Sequence, residues 1–215
     1  MEITTELEQY IERHIDAEPE LLYDLNRQSH IRLLAGRMAS GHWQGRLLKM
    51  LVRMINPRAI LELGTFTGYS ALSMAEGLIR EDSWIDTVEI DDELEPLIRE
   101  FLDKSPYGAR VRLHIGAAEE VVERLGGEWD MVFIDANKRN YPENYKMCMK
   151  HIPIGGYIIA DNILWDGKVV GPIPKEDAAQ TKAIREFNDI VANDERVEKV
   201  ILPLRDGLTI IRRIK

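Results

Sequence analysis

From residue 57 onward the chain alternates short apolar runs with stretches of helical spacing, and this alternation restricts the fold more than any other feature. The runs are Ala59-Ile60-Leu61-Glu62-Leu63, Trp84-Ile85-Asp86-Thr87-Val88, Val111-Arg112-Leu113-His114-Ile115, Met131-Val132-Phe133-Ile134 and Tyr157-Ile158-Ile159-Ala160. They have strand length, and helical periodicity predicts helices over 69–78, 92–104, 118–125 and 144–151 between them. Strands alternating with helices predict a parallel sheet with right-handed crossovers and helices on both faces. A further helix is expected over 181–192, with Ile184, Phe187, Ile190 and Val191 on one face. Segments 197–202 and 208–214, around Arg205-Asp206-Gly207, read as a hairpin adding antiparallel pairing at one edge. Residues 1–56 read as helical, from Leu7, Ile11 and Ile15 through Leu47, Leu48, Leu51, Val52 and Ile55, and Asn56-Pro57 closes them. A length of 215 residues suits one domain, 1–215, with 1–56 as a helical cap and 57–215 as the core.

Composition narrows the function. Asp and Glu number 37 against 28 Lys and Arg, a net charge of -9, which argues against gripping nucleic-acid backbones but not against small charged ligands. One cysteine, Cys148, cannot form an intrachain disulfide. The acidic first twenty residues lack the apolar stretch of a signal peptide, and no apolar run approaches the roughly 18 residues of a membrane span. A cytoplasmic protein without a membrane or nucleic-acid partner is expected.

A doubly wound sheet binds ligands beyond the carboxyl ends of its strands, so those ends carry the candidate chemistry. The first run leads into Glu62-Leu63-Gly64-Thr65-Phe66-Thr67-Gly68-Tyr69-Ser70. Its G-x-x-x-G spacing differs from the G-x-G-x-x-G of dinucleotide dehydrogenases, which disfavours a pyrophosphate cradle. By itself it is also compatible with a plain tight turn. Glu89 closes the second run, where an acid can accept hydrogen bonds from both hydroxyls of a ribose. Alone it reads equally as a solvated strand-end charge, but beside the glycine turn it favours a nucleoside ligand. Asp135 follows the fourth run, and Asp161-Asn162 the fifth. Adjacent strand ends would gather these three as oxygen ligands for a six-coordinate hard cation, Mg²⁺ first, the alternative being that they cap helices. Lys138 would lie close to such an ion, and repulsion together with partial burial would lower its pKa towards that of a general base, the alternative being a solvated surface lysine.

With these residues in place, the sequence resembles the small, metal-dependent, S-adenosylmethionine-using O-methyltransferases, relatives of catechol and caffeoyl-CoA O-methyltransferases. Four segments carry the resemblance: Met38-Ala39-Ser40-Gly41-His42-Trp43-Gln44-Gly45, the stretch from Leu61 to Ser70, Phe133-Ile134-Asp135-Ala136-Asn137-Lys138, and Asp161-Asn162-Ile163-Leu164-Trp165-Asp166-Gly167. Their order and spacing are specific, and the match runs from Pro19 to the final hairpin. The resemblance implies a Rossmann-like, mostly parallel seven-stranded sheet of order 3-2-1-4-5-7-6, with the N-terminal helices over the site. It also implies that Glu62, Gly64, Thr65 and Ser70 hold the methionine part of S-adenosylmethionine. Ser40 belongs to that site with Met38 beside it, Glu89 takes the ribose, and Ala118 faces the adenine. Asp135, Asp161 and Asn162 become metal ligands, with Asp135 shared with the cofactor site, and Lys138 becomes the base.

The implied reaction is methyl transfer to a hydroxyl of a catechol-like or caffeoyl-like small aromatic. The divalent ion would hold both oxygens of a vicinal diphenol, and the protein would bring nucleophile and methyl group into line. Homodimerisation is likewise a family expectation. Asn137 departs from the family pattern, which commonly has an acid there. Trp165 reads either as a stacking surface for the substrate or as an interface plug, and Trp43 shares that ambiguity. Competing readings are methylation of RNA on the same fold, a non-catalytic nucleoside-binding protein, and, more distantly, a nicotinamide-dependent oxidoreductase.

Overall fold

Every residue of the first strand is buried, which only a strand covered on both faces permits. A computed structural model of the chain describes residues 4–34, 36–173 and 175–215. In it β1 (Ala59–Leu63) lies between β2 (Trp84–Glu89) and β4 (Met131–Ile134), paired in parallel with both. Parallel pairing continues outward from β2 to β3 (Val111–Ile115) and from β4 to β5 (Tyr157–Asp161). The hairpin strands β6 (Val197–Leu202) and β7 (Leu208–Arg213) complete the sheet, with β7 antiparallel to β5. The order is β3-β2-β1-β4-β5-β7-β6, as the family resemblance implies. Strand order reverses between β1 and β4, and the crevice for a ligand opens there.

Alternation along the strands divides the core in two. Leu61, Leu63, Val132, Ile134 and Ile158 face one side, packed with Tyr141, Tyr145, Ile184 and Phe187. These last four come from α7 (Tyr141–His151) and α8 (Ala178–Asn193). Ile60, Ile85, Met131, Phe133 and Ile159 face the other side. They meet α2 (Glu20–Arg32), α3 (Gly41–Ile55), α4 (Tyr69–Gly77) and α5 (Glu95–Lys104) through Leu25, Leu48, Met74 and Phe101. The N-terminal helices thus belong to the second face, preceded by α1 (Thr5–Glu12), which buries no residue.

Several boundaries differ from the sequence reading, α8 among them, which begins at Ala178 rather than at 181. The helical N-terminal stretch is three helices, because Pro19 starts α2 as its N-cap and a 3₁₀ turn over Gly36–Met38 precedes α3. The helices α5 and α7 carry Pro96 and Pro142 in their first turns, where a missing N–H costs nothing. Consequently α7 begins at Tyr141, not at 144, and a 3₁₀ turn over 92–94 precedes α5. At the end of α3, Asn56 adopts a left-handed backbone (φ 52°) before Pro57, a stop that asparagine tolerates. The helix α6 (Ala118–Leu125) matches its expected bounds.

The contact between α3 and α4 is charged as well as apolar. Arg46 Nη2 and Lys49 Nζ lie 2.7 and 2.6 Å from the two carboxylate oxygens of Glu76, with all three side chains largely buried. Burial disfavours the Glu76 charge, but Arg46 and Lys49 outweigh it and hold its pKa below the ordinary value of 4.5. A depressed carboxylate contributes stability above the unfolded-state pKa and loses it as pH falls through the folded value. Glu76→Ala should therefore lower Tm by roughly 3–10 °C at pH 7, since it leaves two partly buried cations unpaired. The difference from wild type should shrink on acidification below pH 4, as read by thermal melts across pH.

Candidate active site

At the carboxyl end of β1 the chain must turn against the β4 loop, and glycine makes this possible. Gly64 has φ 96°, and a side chain there would run into the Asp135 backbone carbonyl. Gly64 N and Thr65 N donate to Val88 O at 3.0 and 3.2 Å, and Asp135 N donates to Leu63 O at 2.9 Å. The ends of β1, β2 and β4 are thereby tied into one floor. Glu89 fixes the next turn: its carboxylate accepts from Phe66 N at 2.7 Å and Asp91 N at 2.9 Å. Both bonds use backbone donors, and a carboxylate retains lone pairs for further acceptance.

Beneath this floor lies Glu62, fully buried. Its Oε2 accepts from the Thr87 hydroxyl at 2.5 Å. Thr87 spends its one proton there, so the Thr65 hydroxyl, 2.5 Å away, is the donor to Thr87. Glu62 Oε1 has no partner. Burial pushes the Glu62 pKa up to about 8, against the Ser70 and Thr87 hydroxyls nearby, and the charges of Asp135 and Glu89 add to the rise. A buried carboxyl with an unused acceptor fits a ligand bearing an ammonium group. The cleft above is lined by Met38, Ala39 and Ser40 from the N-terminal segment, by Gly64 to Thr67, Tyr69 and Ser70, and by Asp135. Met38 is at the exposed rim, whereas Ser40 is buried and makes no capping bond with α3. Ala118 sits at the start of α6, in a turn held against Glu89 by a Gly116 N to Glu89 O bond of 2.8 Å.

A second group lies beside the first. Lys138 Nζ donates to Asp135 Oδ1 at 2.7 Å and to the Tyr141 hydroxyl at 3.0 Å. Tyr141 lies 2.9 Å from the Asp161 carbonyl oxygen. Asp161 Oδ2 accepts from Gln44 Nε2 and Oδ1 from Asn162 N, both at 2.7 Å. Burial, and next the charge of Asp135, push the Asp161 pKa up to about 6. Neither aspartate caps a helix; Asn137 takes that role through Arg139 N at 3.1 Å, with its side chain in solvent. Among the described residues no three His, Cys, Asp or Glu side chains cluster as metal ligands. Asp135 and Asp161 instead repel one another, and with Asn162, next after Asp161 in the chain, they offer the oxygen ligand types that suit a hard divalent cation.

The lowered pKa expected for Lys138 concerns a site that holds a cation; without one the balance is different. Burial does act downward, but Tyr141 and Asp135 more than offset it, and the net shift is upward. Gln44 and Arg205 form the part of the site that strand-end reasoning missed. Arg205 Nη1 lies 3.3 Å from both Ala39 O and Gln44 Oε1. Beyond Asn162 an open cavity of about 610 Å³ is lined by Leu164, Gly167, Val169, Val170, Asp166, Arg205 and Asp206. The Trp165 indole packs against the core shared with α7 and α8, and its buried Nε1 has no partner.

The decisive comparison is with a family model described as O-methyltransferase, which matches residues 12–214. The chain belongs to the O-methyltransferase family. Curated relatives agree: caffeoyl-CoA O-methyltransferase 2 of Populus trichocarpa is 35% identical over 185 residues, covering 80% of this chain and 73% of the relative. Caffeoyl-CoA O-methyltransferase 1 of Zea mays is 36% identical, covering 80% and 70%. Among solved structures, the SAH-bound methyltransferase PaMTH1 of Podospora anserina superposes with a TM-score of 0.89 at 29% identity, over 98% of this chain and 94% of that one. The O-methyltransferase TomG of Streptomyces achromogenes, in complex with SAM, gives 0.88 at 27%, over 98% and 96%. This O-methyltransferase is an enzyme that uses S-adenosylmethionine, and no helix among its described residues is long and apolar enough to cross a membrane.

The close crossing of Gly64 and Asp135 gives a direct test of the floor. Gly64→Ala combines a left-handed backbone with a clash against backbone that cannot rotate away, so a destabilisation of about 2–4 kcal/mol is expected by denaturant melts. Gly155→Ala, also left-handed (φ 90°) but with nothing within 4 Å, should cost only about 1 kcal/mol.

Proposed function

We propose that this O-methyltransferase transfers the methyl group of S-adenosylmethionine to one hydroxyl of a small vicinal diphenol, catechol-like or caffeoyl-like, with the help of a divalent cation, Mg²⁺ first. The observation that carries the reading is the juxtaposition of Asp135, Lys138, Tyr141 and Asp161 at the ends of β4 and β5, beside a cleft floored by Glu62. Glu62, Gly64, Thr65, Ser70 and Ser40, with Met38 at the rim, hold the methionine portion, Glu89 the ribose, and the turn at Ala118 the adenine. Asp135, Asp161 and Asn162 are the metal ligands. The bound cation supplies Lewis-acid stabilisation of the phenolate, and the cofactor supplies an electrophilic sulfonium methyl.

The rest of the chemistry belongs to the protein. Burial of Lys138 by itself favours the neutral amine, and the Asp135 carboxylate and Tyr141 hydroxyl hold its proton. Charge withdrawn from Asp135 therefore moves Lys138 towards the form that accepts the phenolic proton. Tyr141, whose own pKa burial pushes upward, stays neutral and keeps the lysine aimed. The cavity beyond Asn162 takes the aromatic body, and Trp165 braces its wall from the core side. No Ser or Cys nucleophile takes part. The single buried thiol, Cys148, suits the reducing cytoplasm, and the homodimer expected for the family is the proposed assembly.

Turnover with a catechol panel should vanish in strong chelator and return with Mg²⁺; full turnover in chelator would remove the metal from the reading. Lys138→Ala should lower kcat by roughly 10²–10⁴-fold and leave S-adenosylhomocysteine affinity within about twofold, by kinetics and calorimetry. A third expectation concerns Glu62. It is protonated below about pH 8 in the free protein, and a cationic ligand favours its ionised form. Cofactor binding should release a proton, so affinity should rise by up to about tenfold per pH unit towards pH 8 and then level. Glu62→Gln should flatten that profile, and an unchanged slope would place the cationic groups elsewhere.

A further inference from the structure

We propose that Arg205 is a positioning residue that ties closure of the N-terminal segment over the cofactor cleft to the orientation of Asp161. The proposal rests on the cofactor and metal assignments above. Arg205 sits in the turn between β6 and β7 with a left-handed backbone, φ 51°, a conformation costly for a side chain this large. It also carries a cation to the amino end of α3, where the guanidinium lies over Gly41 and opposes the helix dipole. Neither choice helps the hairpin fold, since glycine would serve the turn better. What the residue gains is reach. Its Nη1 and Nη2 donate to Ala39 O at 3.3 and 3.4 Å, and Nη1 also donates to Gln44 Oε1 at 3.3 Å.

These bonds have different consequences. Ala39 lies between Met38 and Ser40, which line the cofactor cleft, so the guanidinium pins that strip of backbone down. Gln44 is buried, and its amide has a donor end and an acceptor end. Arg205 can only donate, so it selects the carbonyl and turns the Gln44 NH₂ towards Asp161 Oδ2, 2.7 Å away. With Oδ1 already held by Asn162 N, both oxygens of the aspartate are fixed. One side chain therefore sets the lid of the cofactor cleft and the aim of a metal ligand. It also lines the acceptor cavity, where the two meet the substrate. By reciprocity, ligands that favour the closed lid and the aimed carboxylate favour each other.

Arg205→Gly is the informative variant, because glycine relieves the left-handed turn, so Tm should hold or rise. Calorimetry with S-adenosylhomocysteine and an electron paramagnetic resonance titration with Mn²⁺ read the two sites without turnover. In the variant both dissociation constants should rise, each by about 5–20-fold, and Arg205→Lys, with one donor head, should fall between. If both constants match wild type, or only one moves, the coupling role is wrong. Wild-type protein that binds neither probe would instead overturn the cofactor and metal assignments themselves.

Discussion

The crossing of the β1 and β4 loops, where the Asp135 carbonyl occupies the space a side chain at residue 64 would need, sets the scale of the whole cleft. Because Gly64 lets the two backbones touch, Glu62 below and Asp135 above become electrostatic neighbours, and the Asp135 charge raises the cost of ionising Glu62. The same contact brings Lys138 and Tyr141, which follow Asp135 at three-residue steps, up against the end of β5. Cofactor floor and proton-handling group are thus not two sites that happen to adjoin. They share one piece of backbone. A change that separates the two loops would move both together.

That crossing was legible in the sequence only in outline. Apolar runs bounded by Gly and Pro mark the strands, and acids directly after such runs mark the ends where burial demands a compensating partner. Glu62, Glu89, Asp135 and Asp161 are visible for that reason. The sheet order is less so: periodicity supplies parallel strands and a hairpin, and the order itself came from likeness to known proteins. Gln44 lies 117 residues from Asp161 and 161 residues from Arg205, in segments with no shared period. No local pattern connects them, because their contact exists only after the cap and the hairpin have been packed onto the sheet. The direction of the Lys138 shift without a cation is hidden for a nearer cause. Its sign depends on whether Asp135 or burial dominates, and a spacing of three residues shows proximity but not the balance.

The charge pattern also explains how a chain with net -9 concentrates function at strand ends without self-repulsion unfolding them. Raised pKa values let Glu62 bind a proton at neutrality, and Asp161 below about pH 6, when no cation is present, which lowers the cost of burying them. Lys138 neutralises Asp135 in the same state. The site thus holds Glu62 protonated and Asp135 paired, and yields both to cations that arrive. Such storage favours cationic ligands over anionic ones, in keeping with a sulfonium donor and a divalent ion.

Methyl transfer adds a constraint on where the deepest of those acids should act. The positive charge of the sulfonium is lost as the methyl group leaves, so a carboxylate held against sulfur would stabilise the ground state more than the transition state and slow the reaction. The charge on the cofactor's ammonium does not change. A carboxylate directed there binds the cofactor with no penalty on kcat. Glu62 is fully buried below the Gly64 turn, with Oε1 unpaired and Oε2 held by the Thr65–Thr87 relay, so it has a fixed direction of action. Those features suit an invariant charge better than a vanishing one. In the proposed reading Glu62 therefore serves the amine end of the methionine, with the sulfonium methyl on the Lys138 and Asp161 side of the cleft.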